Sequence, residues 1–236
     1  MSSLHDRVVD SLGRTITHGA MPPGTIMVAE QLEQDFGVSR SVIREALRVL
    51  ESLGLTESVK RLGIRVRSID HWNVLNPHIV RWRMDGPDQG AQLRSLTELR
   101  AAVEPAAAVL AAQHAHRQAK DTLLALAAAM RKAGDAGDVD AFATLDTDFH
   151  RALLRASGNE MFAALDRAIG EVIRGRSTHG MMPTHPATIT LDRHEEVAHA
   201  IATGDAERAH AALTHIMHRT CRELSPVWED APRPEL

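Results

Sequence analysis

The run Gly37-Val38-Ser39-Arg40-Ser41-Val42-Ile43-Arg44-Glu45-Ala46-Leu47-Arg48-Val49-Leu50 decides how the rest of the chain is read. Gly-Val makes a tight turn, and Ser39 stands where a hydroxyl can cap a helix. Arg40, Arg44 and Arg48 then recur every four residues on one side, while Ile43, Leu47 and Leu50 line the other. A short helix with basic and hydroxyl groups at its N-terminal end and an apolar back suits entry into a DNA major groove. An ordinary amphipathic helix with solvated arginines is the plainer alternative, because such spacing is common.

The flanks extend the first reading. Residues 4–19 predict a helix with Leu4, Val8, Val9, Leu12 and Ile16 on one side. Pro22-Pro23-Gly24 forces a turn, residues 25–28 suit a short strand, and residues 29–36 suit a helix broken by Gly37. The arginine helix runs to about Leu53, where Gly54 supplies a left-handed stop. Residues 55–59 and 64–68 are strand-like and flank Lys60-Arg61-Leu62-Gly63. Three helices and a basic hairpin make a winged helix-turn-helix over residues 1–70, whose hairpin would lay Lys60, Arg61 and Arg65 on phosphates or in the minor groove. A plain surface hairpin is the alternative.

The formal net charge of −4 suits a DNA binder only through its distribution. Up to residue 38, Arg7 and Arg14 face Asp6, Asp10, Glu30, Glu33 and Asp35. Over 39–67 the sign reverses: Arg40, Arg44, Arg48, Lys60, Arg61, Arg65 and Arg67 face Glu45, Glu51 and Glu57. Positive charge gathers where a nucleic acid would sit.

Residues 71–88 predict a linker helix, and residues 89–230 a helical bundle with helices near 89–113, 117–134, 138–156, 159–177, 186–203 and 205–224. Residues 231–236 read as a frayed tail. With 44% hydrophobic and only 3% aromatic residues, packed helices are favoured over sheets, so the expected class is mainly α. One cysteine, Cys221, rules out a disulfide framework and suits a reducing cytosol. No apolar run approaches the roughly 20 residues that span a bilayer, and the first twenty residues carry acids rather than a basic-then-apolar leader. A cytoplasmic protein without membrane attachment is expected.

Three bundle helices carry polar residues inside their apolar stripes. Asp146 and His150, one turn apart, share the face of Phe142, Phe149 and Leu153. His194 lies one turn before Val197 on the face of Ile201, and Arg100 edges the stripe of Leu96, Val103, Ala107 and Leu110. Buried charge is expensive unless paired. Asp146, His150 and His194 could meet that cost by binding a divalent metal, and Arg100 by taking an anionic ligand, since its fork matches a carboxylate. Alternatively Asp146 pairs with Arg100 or Arg151, and the histidines are satisfied core residues.

With these residues in view the chain resembles the GntR family of bacterial transcription regulators, FadR-type subfamily, with a C-terminal all-helical FCD ligand-binding domain. The resemblance spans about residues 4–224. It rests on Pro22-Pro23-Gly24, the Gly37–Leu47 run, Glu51-Ser52-Leu53-Gly54-Leu55, Glu98-Leu99-Arg100 with Glu104-Pro105, Asp146-Thr147-Asp148-Phe149-His150, Ala156-Ser157-Gly158-Asn159 and Arg193-His194-Glu195-Glu196-Val197. It implies that Ser39, Arg40, Ser41 and Arg44 contact operator DNA, with the hairpin near Gly63 at the minor groove. It also implies that Asp146, His150 and His194 ligate zinc or nickel, and that Arg100 holds the carboxylate of an acid effector. The stretch Trp72-Asn73-Val74-Leu75-Asn76-Pro77 with Arg81-Trp82 resembles the galactonate-responsive subgroup, which implies a sugar acid.

The chain departs from the family pattern twice. Glu30 stands where helix two commonly has an arginine, and the family's third metal-binding histidine falls at Ile216, with His215 one residue earlier and about 100° round the helix. His215 is therefore a doubtful fourth ligand. The expected function is a homodimeric repressor of a sugar-acid or related carboxylate operon, bound to double-stranded operator DNA and released by its acid. A metal-responsive regulator, in which the ion is the signal, is the alternative. A helical metal hydrolase fused to a DNA-binding module is the competing class. The sequence carries no positioned general base, nucleophile motif or cofactor loop, so no enzyme is expected.

Overall fold

The computed structural model describes residues 3–183 and 185–233. The chain divides into two compact units, one reaching Gln89 and the other spanning Gly90–Pro232.

In the first unit α1 (Leu4–Thr17) opens with a capping box, Ser3 and Asp6 satisfying each other's backbone N–H groups. Then come β1 (Ile26–Met27), α2 (Ala29–Phe36), α3 (Arg40–Ser52), β2 (Thr56–Val59) and β3 (Gly63–Val66). The strands form one antiparallel sheet in the order β1-β3-β2, with β2 and β3 the arms of the hairpin. α2 stops at Gly37, whose φ of 61° is left-handed and turns the chain directly into α3. Ile43, Ala46 and Leu50 of α3 are fully buried among Val8, Leu12 and Ile16 of α1 and Leu55.

The stretch expected as a linker helix is shorter and better anchored. A 3-10 turn covers Ile69–His71, and α4 (Pro77–Met84) starts with Asn76 accepting from the His78 N–H. Trp82 of α4 is fully buried in the first unit's core, and its Nε1 donates to Asp10 at 2.7 Å. Its indole lies where a Cβ at Gly13 would be, 2.3 Å from the nearest ring atom, so α1 and α4 approach over a residue without a side chain. Burying one tryptophan removes 150–250 Å² from water, about 4–6 kcal/mol by area, which explains why this helix does not stand free.

The second unit contains α5 (Gln89–His114), α6 (Arg117–Ala136), α7 (Val139–Ala156), α8 (Glu160–Ala164), α9 (Asp166–Thr178), α10 (Thr188–Thr203) and α11 (Ala206–Trp228). The single helix expected over 159–177 is two, α8 and α9, which meet at Leu165. The Ser157-Gly158-Asn159 motif is the turn before them: Ser157 donates to the Leu154 carbonyl, and Asn159 caps α8 through the Met161 and Phe162 N–H groups. α11 runs past the expected end at 224. Nor is the start of the tail frayed, because the Arg94 fork donates to the carbonyls of Ala231 and Pro232 at 2.6 and 2.8 Å. Residues 234–236 of that expected tail lie outside the described residues. The core is built from α5, α6, α7, α10 and α11, around Leu123, Met130, Phe149, Leu153, Val197, Ile201 and Leu213. Among the described residues no helix is long and apolar enough to cross a membrane.

Candidate nucleic-acid interface and metal centre

α3 presents its charges as the spacing requires. The side chains of Arg40, Arg44 and Arg48 are 74%, 67% and 63% exposed, opposite the buried Ile43 and Leu50. Ser39 occupies the N-cap position, but its hydroxyl faces that of Ser41 at 2.9 Å and makes no capping bond. The expected cap is thus absent, and the first N–H groups of α3 keep their capacity for an outside acceptor such as phosphate. Arg48 donates to Glu45 at 2.8 Å, whereas Arg44 meets the same carboxylate only at 4.0 Å. Arg40 lies 3.4 Å from Glu30, the residue that stands in the place of the family's arginine.

In the hairpin, Arg65 is exposed and its Nε and Nη2 fork Glu57 across the strands at 2.8 and 2.7 Å. Lys60 and Arg61 are exposed at the tip, where Arg61 takes a left-handed φ of 67° and the hairpin closes at Gly63.

In the second unit the structure brings together the three candidate ligands. Asp146 and His150 project from α7 and His194 from α10, all buried, with one ligand atom each within 4.8 Å of the others. Asp146 Oδ1 lies 3.3 Å from His150 Nε2 and 3.4 Å from His194 Nε2. The alternative partners for Asp146 are engaged elsewhere: Arg100 with Glu104, and Arg151 with Asp148 and Asp166.

What orients the rings is legible in their other nitrogens. His194 Nδ1 is 2.8 Å from the Thr190 carbonyl, so Nδ1 carries the proton and donates. His194 Nε2 is the nitrogen turned toward Asp146, buried and without a hydrogen bond of regular geometry. His150 Nδ1 is 2.7 Å from Glu104 Oε2, an ion-pair contact whose angle lies outside hydrogen-bond geometry. Glu104 is in turn held by Arg100, whose Nε donates to Oε1 at 2.6 Å. Carboxylate and carbonyl partners behind imidazoles fix the ring orientation and tautomer that a metal ligand needs. Phe149 packs edge-on against both rings from the core.

The electrostatics agree with that reading. Burial pushes the Asp146 carboxyl up, and His150 and His194 more than reverse this, holding it well below the usual carboxylate range. Burial likewise opposes ionisation of Glu104, yet Arg100 and His150 bring it down to about 2. Burial lowers His150, and Glu104 and Asp146 outweigh it to raise the imidazole. A centre that draws a proton onto a buried imidazole between two carboxylates is one where a cation is favoured. Two imidazole nitrogens and one carboxylate oxygen suit zinc or nickel, so the residues fit a divalent ion with positions left open for a ligand.

The trio lines a cavity of about 50 Å³, together with Arg100, Arg176, His215 and Ile216. Ile216 is buried and His215 exposed, and the converging ligand set includes neither. In the sequence Glu104 stood only as part of a motif, with no role, and neither Thr190, which with Glu104 aims the imidazoles, nor Arg176 was singled out. The signal for Glu104 was present, since it follows Arg100 by one helical turn.

Residues 4–66 match the gntR family of bacterial regulatory proteins, and residues 95–219 match the FCD domain. The galactonate operon transcriptional repressor of Escherichia coli K12 is 32% identical over 222 residues, covering 92% of this chain and 95% of that one. The HTH-type transcriptional regulator LutR of Bacillus subtilis is 27% identical, covering 91% and 98%. The solved structure of Lar from Listeria monocytogenes superposes with a TM-score of 0.64 at 18% identity over 96% of this chain and 99% of that one, a likeness of fold. With both halves matched in order, the chain belongs to the gntR family of bacterial transcription regulators that carry an FCD domain.

Proposed function

We propose that this regulator is a cytoplasmic homodimeric repressor of a sugar-acid or related carboxylate operon. It reads operator DNA through Ser39, Arg40, Ser41, Arg44 and Arg48, with Lys60, Arg61 and Gly63 of the hairpin at the backbone or minor groove. Two recognition helices related by the dimer axis would read an inverted repeat. The observation that carries the sensing half is the orientation of two buried imidazoles, both presenting Nε2 to Asp146 while Nδ1 is engaged by Thr190 or Glu104. Asp146, His150 and His194 would hold a divalent ion, zinc or nickel. When bound, that ion supplies a positive point for the carboxylate or hydroxyl oxygens of a ligand.

Arg100 and Arg176 on the cavity wall favour an acid as that ligand. An acid that prefers the dimer shape whose helices no longer match the half-sites would lower DNA affinity. A differential of about 1–3 kcal/mol is the usual size of such coupling. The likeness to a galactonate operon repressor supports a sugar acid.

Metal analysis of the purified protein, with thermal-shift and gel-shift titrations of sugar acids before and after chelation, tests the reading. It expects about one zinc or nickel per chain, a melting temperature raised by an acid only in metal-loaded protein, and operator release by that acid. Metal-free protein with unchanged acid responses would sink it. Operator release by chelation alone, with no acid present, would favour the metal-sensing alternative.

A further inference from the structure

The hairpin between β2 and β3 ends in an apolar side chain. Leu62 is 60% exposed, more than any other large hydrophobic of the first unit among the described residues. It belongs neither to that unit's core nor to the apolar groups packed against it, whereas Ile64, two residues on, does pack there. A leucine left in water on a hairpin tip contributes little to the fold. Lys60 and Arg61 beside it are exposed as well, so the tip offers one apolar group next to two cations.

The tip is built to hold its shape. The Leu62 N–H donates to the Val59 carbonyl at 3.1 Å, closing a turn whose third residue, Arg61, has a φ of 67°. That position ordinarily takes glycine or asparagine, and Arg61 is the one non-glycine residue with a positive φ among the described residues. At Gly63 a Cβ would lie 2.5 Å from the Met27 carbonyl oxygen, so β3 leaves the turn in direct contact with β1. Below the tip the Arg65–Glu57 pair ties the two arms together. Leu62 therefore stands out from a three-stranded base rather than from a loose loop.

We infer that Leu62 is an apolar wedge. With Lys60 and Arg61 on the flanking phosphates, it presses on a base step in the minor groove of the operator and opens the stacking there. Resting on the DNA reading above, this gives the hairpin a deforming contact and a sequence preference. A leucine side chain has no hydrogen bond to offer, so it cannot read the donor and acceptor pattern of a base pair. What it reads is how easily a step unstacks, which favours the flexible pyrimidine–purine steps TA and CA/TG over a stiff A-tract. The two adjacent cations select a polyanion as the occupant rather than a second apolar surface.

The test uses full-length protein and the duplex it enriches from a random-sequence pool, with 2-aminopurine replacing the adenine of each pyrimidine–purine step in turn. Wild type is expected to raise the fluorescence at one such step per half-site, and to bind at least about fivefold more weakly once that step becomes AA. Leu62→Ala is expected to bind the enriched duplex at least about fivefold more weakly, to give no fluorescence rise and to lose the preference between the two duplexes. Its melting temperature and salt slope should not change. Leu62→Met, which keeps an apolar tip, should restore most of the affinity and the signal. Arg61→Gly, by contrast, should flatten the salt slope by about one without lowering the melting temperature, because glycine is unstrained at that φ.

Unchanged affinity and step preference in Leu62→Ala, or no fluorescence rise at any step with wild type, overturns the wedge and leaves the DNA reading intact. A Leu62→Ala chain that falls from dimer to monomer would assign the leucine to a contact between copies and overturn the wedge as well. Failure of wild type to enrich any duplex overturns this inference and the DNA reading together.

Discussion

Arginine does opposite work in the two units. On α3 Arg40, Arg44 and Arg48 stand well out in water, where holding a charge costs almost nothing. In the bundle Arg100 and Arg176 are almost fully buried, where the same charge must be offset as the chain folds or wait uncompensated. The exposed set suits a partner too large to enter the protein, a polyanion whose phosphates come to the surface. The buried set suits a partner small enough to come inside. Variants of the first kind should therefore leave folding alone and alter binding, while variants of the second kind should alter both.

Glu104→Gln is expected to produce the largest change and would break the comparison if it did not. It removes one partner of a buried pair with Arg100 and loosens His150. The expected loss is about 3 kcal/mol in stability and about 10–100-fold in metal affinity. Chemical denaturation and competition with a zinc chelator measure the two, and a variant as stable as wild type would place that network outside the core's energetics. Next comes Arg44→Ala, expected to weaken operator binding by about 1–3 kcal/mol and flatten its salt dependence by about one ion, with the melting temperature unchanged. Fluorescence anisotropy across a salt series reads both, and unaltered affinity would remove this helix from the interface. Arg48→Ala sharpens the contrast at its small end. Its guanidinium already donates to Glu45, so stability should move by no more than about 0.5 kcal/mol and operator affinity by less than in Arg44→Ala.

The first unit was largely readable from residue order. Its helices follow from apolar spacing, the turn from Gly37, and the hairpin from two short strand-like runs around a basic tip. What escaped there was pairwise: the Arg65–Glu57 bridge across the strands and the Trp82 indole over Gly13 depend on neighbours far along the chain. In the bundle, Asp146 and His150 were visible because one helix puts them a turn apart on an apolar face. Glu104 was visible in the same way, as part of a family motif, but its role behind His150 was not, since an i,i+4 Arg–Glu pair usually sits in solvent. Arg176 stands in the last turn of α9, where a cation ordinarily faces water beside the helix C-terminus, and its spacing from Ile169 and Val172 was the sign of burial that went unread.

Local periodicity was enough to declare a basic helix with an oily back, because 3.6 residues per turn convert spacing into faces without reference to anything else. Which charged groups end up alone in a cavity is a different kind of question. It depends on whether a carboxylate from another turn or another helix reaches them first, and that was decided only when α5, α7, α9, α10 and α11 brought their side chains around one space. There Arg100 met Glu104, Arg219 met Glu223, and Arg176 met no carboxylate of its own among the described residues.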